Sequence, residues 1–301
     1  MRRRGCGGSA SATAGGEPLP SWTPGAHIDV TCGDLLRQYS LCGDPADTDR
    51  WSIAVLHEVG GRGGSRFVHE TLAVGDEIRI GLPRNNFDFD PAGRCVFIAG
   101  GIGITPLLPM IRAASSRGVE WSLIYGGRTC DSMAFADELS ATYGDAVTLV
   151  PENECGRIDL DAAVAPVVGA SGGDVYCCGP EGLLTAVQER CAGTTARLHI
   201  ERFTPVEVDT RADSAFEVEL AVTGSVHQIP ADRSILSVLE ADGVNVLYSC
   251  TEGTCGTCET GVISGEVEHR DALLTEDERD AGDVMFICVS RARCPRLVLD
   301  M

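Results

Sequence analysis

The spacing of a few cysteines constrains this chain more than anything else in it. The run Ser249-Cys250-Thr251-Glu252-Gly253-Thr254-Cys255-Gly256-Thr257-Cys258 is followed thirty residues later by Cys288. C-x4-C-x2-C with a distant fourth cysteine is the plant-type ligand pattern of a two-iron, two-sulfur cluster. Cys250, Cys255, Cys258 and Cys288 are therefore the expected metal ligands. Gly253 and Gly256 allow close approach of backbone to sulfur, and the small Ser and Thr side chains between them are donors that tune such a centre. A zinc knuckle built on Cys255 and Cys258 calls for a second short pair or neighbouring histidines, and neither follows. A disulfide framework is not needed in a chain this long without a secretory signal.

The 301 residues leave room for two or three domains. With 44% hydrophobic and 23% charged residues the composition is that of a globular protein, and no apolar run reaches the length of a membrane span. Outside the motif the remaining cysteines show no paired rhythm, which predicts a reduced, cytoplasmic protein. A formal net charge of −20 opposes nucleic acid and anionic membranes as partners.

Residues 1–16 carry three arginines followed by Gly, Ser and Ala, with neither the apolar core of a signal peptide nor strand alternation. They read as a flexible tail or as an altered start to the domain that follows. From Pro24 the pattern becomes strand-like. Ala26, Ile28 and Val30 alternate with polar neighbours, and runs at Trp51–Leu56 and Ile78–Leu82 follow, which predicts a small barrel. Two stretches in it carry chemistry. Arg37-Gln38-Tyr39-Ser40 places a cation, an aromatic face and a hydroxyl on one extended segment, with Arg37 and Tyr39 on one side and Ser40 on the other. Gly60-Gly61-Arg62-Gly63-Gly64-Ser65 offers free amides for an anion ahead of a short helix near Val68–Leu72. Singly, the first could be a surface strand and the second a hairpin loop. Together, upstream of an iron-sulfur motif, they read as a flavin site.

Between Arg94 and Phe203 strands and helices alternate. Strands are expected at Cys95–Ala99, Trp121–Tyr125, Val147–Val150 and Val175–Cys178, and helices at Leu107–Ile111 and Phe135–Leu139. This predicts a parallel sheet with helices on both faces and ligands at the carboxyl ends of its strands. Gly100-Gly101-Ile102-Gly103-Ile104-Thr105-Pro106 sits at one such end, with Pro106 in the first helical turn, where its missing N–H costs nothing. Cys178-Gly179-Pro180 marks a second end, with a small thiol where a planar ring could lie; Cys178 could equally be an ordinary buried cysteine. Arg128 and Asp131 follow the strand where an adenosine ribose is usually met, and would look the same as a solvated loop.

The last segment alternates at Phe216, Val218, Leu220 and Val222, continues into a helix opened by Ser234 and closed by Gly243, and ends in short strands at Gly261–Ile263 and Leu297–Leu299. This predicts a β-grasp scaffold for the cysteine loop. It holds 19 Asp or Glu against 7 Arg. The run Glu276-Asp277-Glu278-Arg279-Asp280 reads as a solvated helix or as a docking face for an electron acceptor.

In this order the motifs resemble the phthalate dioxygenase reductase family, which includes the reductase components of vanillate-type O-demethylases. The likeness covers Pro24 to Met301; in residues 1–16 the chain departs from it, since the family places further barrel strands there. The resemblance implies a multidomain α/β plus β fold: a flavin β-barrel of the ferredoxin-reductase type in residues 1–92, a parallel α/β nucleotide-binding domain in 93–205 and a β-grasp 2Fe-2S ferredoxin domain in 206–301. It implies FMN held by Arg37, Gln38, Tyr39 and Ser40, with Ala54 and Leu56 beside the ring and Gly61, Arg62, Gly63, Gly64 and Ser65 at the phosphate. It places Gly101, Gly103, Thr105, Cys178, Gly179 and Pro180 at the nicotinamide and Phe203 near the flavin, and it makes Ser40, Cys178 and Phe203 the residues nearest the reacting atoms. The implied activity is oxidation of NADH, with electrons passing through FMN and the cluster to a Rieske-type terminal oxygenase. Two rivals stay open: a stand-alone flavin or quinone reductase, and a non-catalytic iron-sulfur carrier whose flavin barrel is defective.

Overall fold

The computed structural model describes residues 6–11, 18–169, 172–206 and 208–301. The chain divides into two compact units, Met1–Glu201 and Arg202–Met301.

The first unit opens with four strands, β1 (Cys6–Ser11), β2 (His27–Cys32), β3 (Leu35–Ser40) and β4 (Trp51–Leu56). β2 and β3 form a hairpin whose turn contains Gly33 at φ 65°. β1 corrects the reading of the N-terminus, because it pairs antiparallel with β4 from Cys6 opposite Leu56 to Ser11 opposite Trp51. A ladder consumes only backbone donors and acceptors, so a Gly- and Ser-rich stretch can complete a sheet without alternating. Ile28, Val30 and Cys32 of β2 close on Trp51, Ile53 and Val55 of β4 to make the barrel core.

The expected strand at Ile78–Leu82 forms only isolated bridges, Ile80 to Val30 and Arg84 to His27. The register slips by one residue between the two bridges, and Pro83, lacking an N–H, cannot carry a continuous ladder across the slip. Side chains compensate. Both Arg84 guanidinium Nη atoms donate to the Asp29 carboxylate at 2.8 Å, and Gln38 Nε2 donates to the same carboxylate at 2.7 Å.

Beyond the barrel lie β5 (Cys95–Gly100), β6 (Trp121–Gly127), β7 (Val147–Pro151), β8 (Gly173–Cys178) and β9 (Ala196–Glu201), all parallel in the order β7-β6-β5-β8-β9. The principal helices are Ile104–Arg117, Ala136–Tyr143, Leu160–Val164 and Glu181–Cys191. The chain winds one way from β5 to β7 and the other way from β8 to β9. The strand order therefore reverses between β5 and β8, and the crevice outside a reversal is where open α/β sheets take ligands. Barrel and sheet share one core, in which Cys42, Ala54, Phe87 and Phe89 pack with Phe97, Leu107 and Tyr176. Arg112 Nη1 ties the helix Ile104–Arg117 to the barrel by donating to the carbonyls of Cys42 and Gly43, each at 2.8 Å.

The second unit contains β10 (Phe216–Leu220), β11 (Val226–Ile229), β12 (Glu259–Ser264), β13 (Val267–Glu268), β14 (Val284–Phe286), β15 (Arg291–Ala292) and β16 (Arg296–Leu299). Its main sheet runs β11-β10-β16-β12-β14, with β10 and β16 parallel and the other pairs antiparallel. This is the β-grasp order that the sequence left open. The helix Ile235–Ala241 covers the sheet with Ile235, Leu236, Val238 and Leu239. Ser234 caps its start by accepting from Ser237 N–H at 3.1 Å, and Gly243 (φ 81°) lets Val244 N–H return to Leu239 O at 2.9 Å, a Schellman closure.

Candidate functional site

In the barrel the two stretches with flavin-like chemistry meet. Gly64 lies so close to the Arg37 side chain that an added Cβ would stand 2.6 Å from Arg37 Cγ, and Gly63 turns the chain into it at φ 98°. Gly63 opens the helical turn Gly64–Arg66, which runs on as a wider turn over Phe67–Thr71. Ser65 pins the loop by accepting from Glu58 N–H at 3.2 Å, and Gly61 N–H closes a turn on Glu58 O at 3.2 Å. Arg62 is exposed at the tip. Tyr39 faces the barrel core beside Cys32; burial, then the Cys32 charge, pushes its phenol up, so it stays neutral. Ser40 is 6% exposed, and its Oγ is buried with no hydrogen-bond partner among the described residues. An orphaned hydroxyl is costly unless a ligand satisfies it, and a flavin edge, which both donates and accepts, fits it. Ala54 is buried and Leu56 is exposed at the other end of β4.

At the sheet reversal, glycines let two strand ends touch. A Cβ on Gly103 would stand 2.3 Å from Cys178 O, and one on Gly179 would stand 2.9 Å from Gly100 Cα. Gly101 differs: it sits at φ 56° and a Cβ there would meet nothing, so it opens the crevice. Pro180 precedes the helix Glu181–Cys191, and Pro106 occupies the first turn of Ile104–Arg117. Thr105 is turned inward, its Oγ1 donating to Ile102 O at 3.0 Å, so it braces the loop. Arg128 and Asp131 are exposed just past β6. Phe203, in the second unit, is 44% exposed.

Glu201 was not among the expected site residues. β8 and β9 pair Cys178 with Glu201, and Cys178 Sγ lies 4.0 Å from Glu201 Oε2. Glu201 as a residue is half-exposed, but its carboxyl is turned in beside the thiol, and burial pushes its pKa up to about 8. Burial first, then the Glu201 charge, raises the Cys178 thiol well above its ordinary value. Both groups are therefore neutral at pH 7. Only the strand order reveals this pair, since no local spacing joins the two positions.

The cysteine loop is shaped by its backbone. Thr251 (φ 60°), Gly253 (φ 71°) and Gly256 (φ 77°) are left-handed, and they turn successive amides inward. Glu252 N–H and Thr254 N–H point at Cys250 Sγ at 3.3 and 3.5 Å, and Cys250 N–H points at Cys255 Sγ at 3.4 Å. Cys255, Cys258 and Cys288 are 1%, 3% and 6% exposed. The thiols act on one another: hydrogen bonds from Cys255 and then Cys288 pull Cys250 down and one from Cys288 pulls Cys258 down, while Cys255 and Cys288 are pushed up in turn. Among the described residues no three His, Cys, Asp or Glu side chains converge on a single ion. The thiols instead form two pairs, Cys250 with Cys255 and Cys258 with Cys288, joined by a contact between Cys250 and Cys288. Two linked pairs suit a two-iron unit better than a lone ion.

Comparison with known proteins extends these observations. A 2Fe-2S iron-sulfur cluster binding domain matches residues 220–293, and an oxidoreductase NAD-binding domain matches residues 97–189. The solved phthalate dioxygenase reductase, a modular structure for electron transfer from pyridine nucleotides to [2Fe-2S], is 36% identical, covers 100% of this chain and 95% of its own, and superposes with a TM-score of 0.69. The chain belongs to the phthalate dioxygenase reductase family. Phenoxybenzoate dioxygenase subunit beta of Ectopseudomonas oleovorans is 41% identical over 94% of this chain and 89% of its own length. An intact type IV self-sufficient cytochrome P450 monooxygenase is 42% identical over the whole of this chain, with a TM-score of 0.92, and this chain spans 40% of that one. As a member of the family it is an oxidoreductase with a flavin barrel, a nucleotide sheet and a ferredoxin unit.

Proposed function

We propose that the protein is an NADH-dependent reductase that delivers electrons, through FMN and a 2Fe-2S cluster, to a Rieske-type terminal oxygenase of an aromatic-ring dioxygenase or O-demethylase system. The observation that carries this reading is the quartet of thiols with inward amides, on a chain that also holds the glycine-lined crevice at the sheet reversal. When bound, the flavin and the cluster supply the conversion of a two-electron donor into single electrons.

The chain's own residues bind, orient and exclude water. Arg37 and the amides of Gly61 to Ser65 take the FMN phosphate, a charge-assisted contact. Tyr39 and Ala54 offer apolar surface to the ring, and Ser40 Oγ takes its polar edge. Gly101 and Gly103 admit the dinucleotide against the start of the helix Ile104–Arg117. Gly179 and Pro180 present the surface that meets the nicotinamide, over the fully buried, neutral Cys178 and the protonated carboxyl of Glu201 beside it. Arg128 and Asp131 meet the adenosine. Cys250, Cys255, Cys258 and Cys288 hold the cluster as thiolates. Among the described residues no helix is long and apolar enough to cross a membrane. We assign the protein to the cytoplasm, where its free thiols stay reduced.

Anaerobic stopped-flow mixing of the purified full chain with NADH tests the reading: flavin absorbance bleaches first and cluster absorbance follows. NADH oxidation without cluster bleaching would identify a stand-alone flavin or quinone reductase. A cluster spectrum without a flavin band would identify a carrier. The match to a self-sufficient P450 favours a second reading, in which a haem monooxygenase is the acceptor. Rates of reduction of a purified Rieske oxygenase and a purified P450 haem domain, compared side by side, separate the two acceptors.

A further inference from the structure

The run His269-Arg270-Asp271 lies outside the cysteine ligands and outside every role assigned above. Asp271 is fully buried, and its Oδ1 accepts from the amides of Leu273 and Leu274 at 2.9 and 2.8 Å. This turn makes a shelf under the cluster loop. Ala272 N–H donates to Gly253 O at 2.9 Å. A Cβ on Gly253 would stand 3.1 Å from Asp271 Cα and 2.7 Å from Val289 Cγ2, so the loop rests directly on the shelf. The carbonyl of Gly253 and the N–H of Thr254 belong to one planar peptide group, and that N–H points at Cys250 Sγ. Holding the carbonyl end therefore aims the N–H end. Arg279 locks the shelf from the other side, with Nη2 donating to Asp271 O at 2.8 Å and Nε to Leu274 O at 3.1 Å.

One atom of the shelf is left over. Among the described residues neither Asp271 Oδ2 nor His269 Nδ1, both buried, has a hydrogen-bond partner, and they stand 3.9 Å apart. The His269 side chain is 7% exposed. Two desolvated polar atoms just beyond bonding distance are unfavourable unless something joins them. A proton on Nδ1 supplies the missing donor. The charged groups acting on His269 are Asp271, which favours the cation, and Arg279 and Arg293, which oppose it; burial is the largest influence and holds the ring neutral below the ordinary histidine value. A negative charge added to the centre across the shelf shifts this balance toward the cation.

We propose that Asp271 is a positioning residue for the cluster loop and that His269 is its proton-linked partner, so that reduction of the 2Fe-2S centre takes up a proton at this pair. The proposal rests on the cluster reading above. The step balances as one electron taken by the cluster and one proton taken from solvent onto His269 Nδ1, with no other bond made or broken. Hydrogen bonds to sulfur set the potential of such centres, so the aim of Thr254 N–H gives the pair a second influence on it.

The test is the cluster reduction potential of the full-length holoprotein as a function of pH, with iron content and the EPR spectrum of the reduced protein recorded alongside. The wild-type potential falls as pH rises through the window between the pKa of His269 in the oxidised and in the reduced protein, by at most about 59 mV per tenfold change in proton concentration, and is flat above it. His269→Gln flattens the profile with iron content unchanged. Asp271→Asn keeps an acceptor for the two leucine amides, offers His269 a neutral donor, and flattens the profile too. A wild-type potential independent of pH, or an undiminished slope in His269→Gln, overturns the proposal. Absence of a cluster spectrum in the wild type would instead sink the function on which it rests.

Discussion

The cluster loop and the crevice between β5 and β8 are built in opposite ways. The loop gathers three thiols from nine consecutive residues, Cys250 to Cys258, and organises them with its own backbone. The crevice is assembled from strand ends far apart in sequence, and side-chain-free contact between backbones shapes it, as at Gly103 against Cys178 O. The loop is therefore sensitive to the loss of particular ligand atoms. The crevice is sensitive to the addition of a single methyl group where the strand ends touch, at Gly103 or Gly179.

Cys258→Ser gives the sharpest contrast. It removes a thiolate from the more buried pair, and metal sites lose 10–100-fold in affinity even for the loss of a supporting group. The expected result is loss of iron and a fall of at least about 100-fold in electron delivery to a one-electron acceptor, while NADH still bleaches the flavin. If iron content and acceptor reduction survive, the two pairs do not form one centre.

Gly103→Ala attacks the other region. Its Cβ would meet the Cys178 carbonyl at 2.3 Å, and backbone on both sides has to move. A displacement of about 1 Å in a positioned site costs on the order of 100-fold, so kcat/KM for NADH falls by about that much while the cluster potential stays where it was. Normal flavin reduction in this variant would mean that the seam is not the nicotinamide site.

The same contrast explains how much could be read from the sequence. Local features were legible: the ligand spacing, the glycines at positive φ, the Ser234 cap and the strand-to-helix turn at Gly100–Pro106 all signal within a few residues. Features that depend on register were not. β1 has no side-chain pattern to betray it, because its pairing to β4 needs only backbone. Ile78–Leu82 has the pattern but lacks the ladder, because its register slips beside Pro83. Glu201 and Asp271 each acquire their surroundings from a chain neighbour that is remote or turned back, Cys178 through the β8–β9 pairing and Gly253 through Ala272.

Glu201→Gln sharpens the crevice side of the comparison through pH. The carboxyl's pKa rises from an ordinary 4.5 to about 8, so the folded state holds its proton where the unfolded chain has released it. The resulting stability is fully present below about pH 4.5, is lost progressively as pH rises through about 8, and changes no further above that. Flavin reduction by NADH should decline above pH 8 as a charge develops beside Cys178, and Glu201→Gln should remove that decline. The rate at pH 7 should change by only a few-fold, since the wild-type group is already neutral there. A pH profile that the substitution leaves unaltered would place the carboxyl outside the working site.

The smallest effect belongs to the surface of the cluster unit. Helix Glu276–Ala281 is capped by a reciprocal pair, Thr275 with Glu278, and Arg279 anchors it to the shelf at Asp271. Glu276, Asp277 and Asp280 remain exposed. Charges at such a rim act on encounter rate rather than on the bound state. Neutralising all three to Gln or Asn should slow bimolecular electron transfer to a basic acceptor several-fold at low ionic strength, with the difference closing as salt shortens the Debye length to about 3 Å at 1 M. The cluster potential and the rate of flavin reduction should not move, because none of the three is a ligand cysteine or a residue of the crevice strands. A salt-independent loss would mean that the helix contributes contacts rather than a field, and an unchanged rate at low salt would move the docking face elsewhere on the unit.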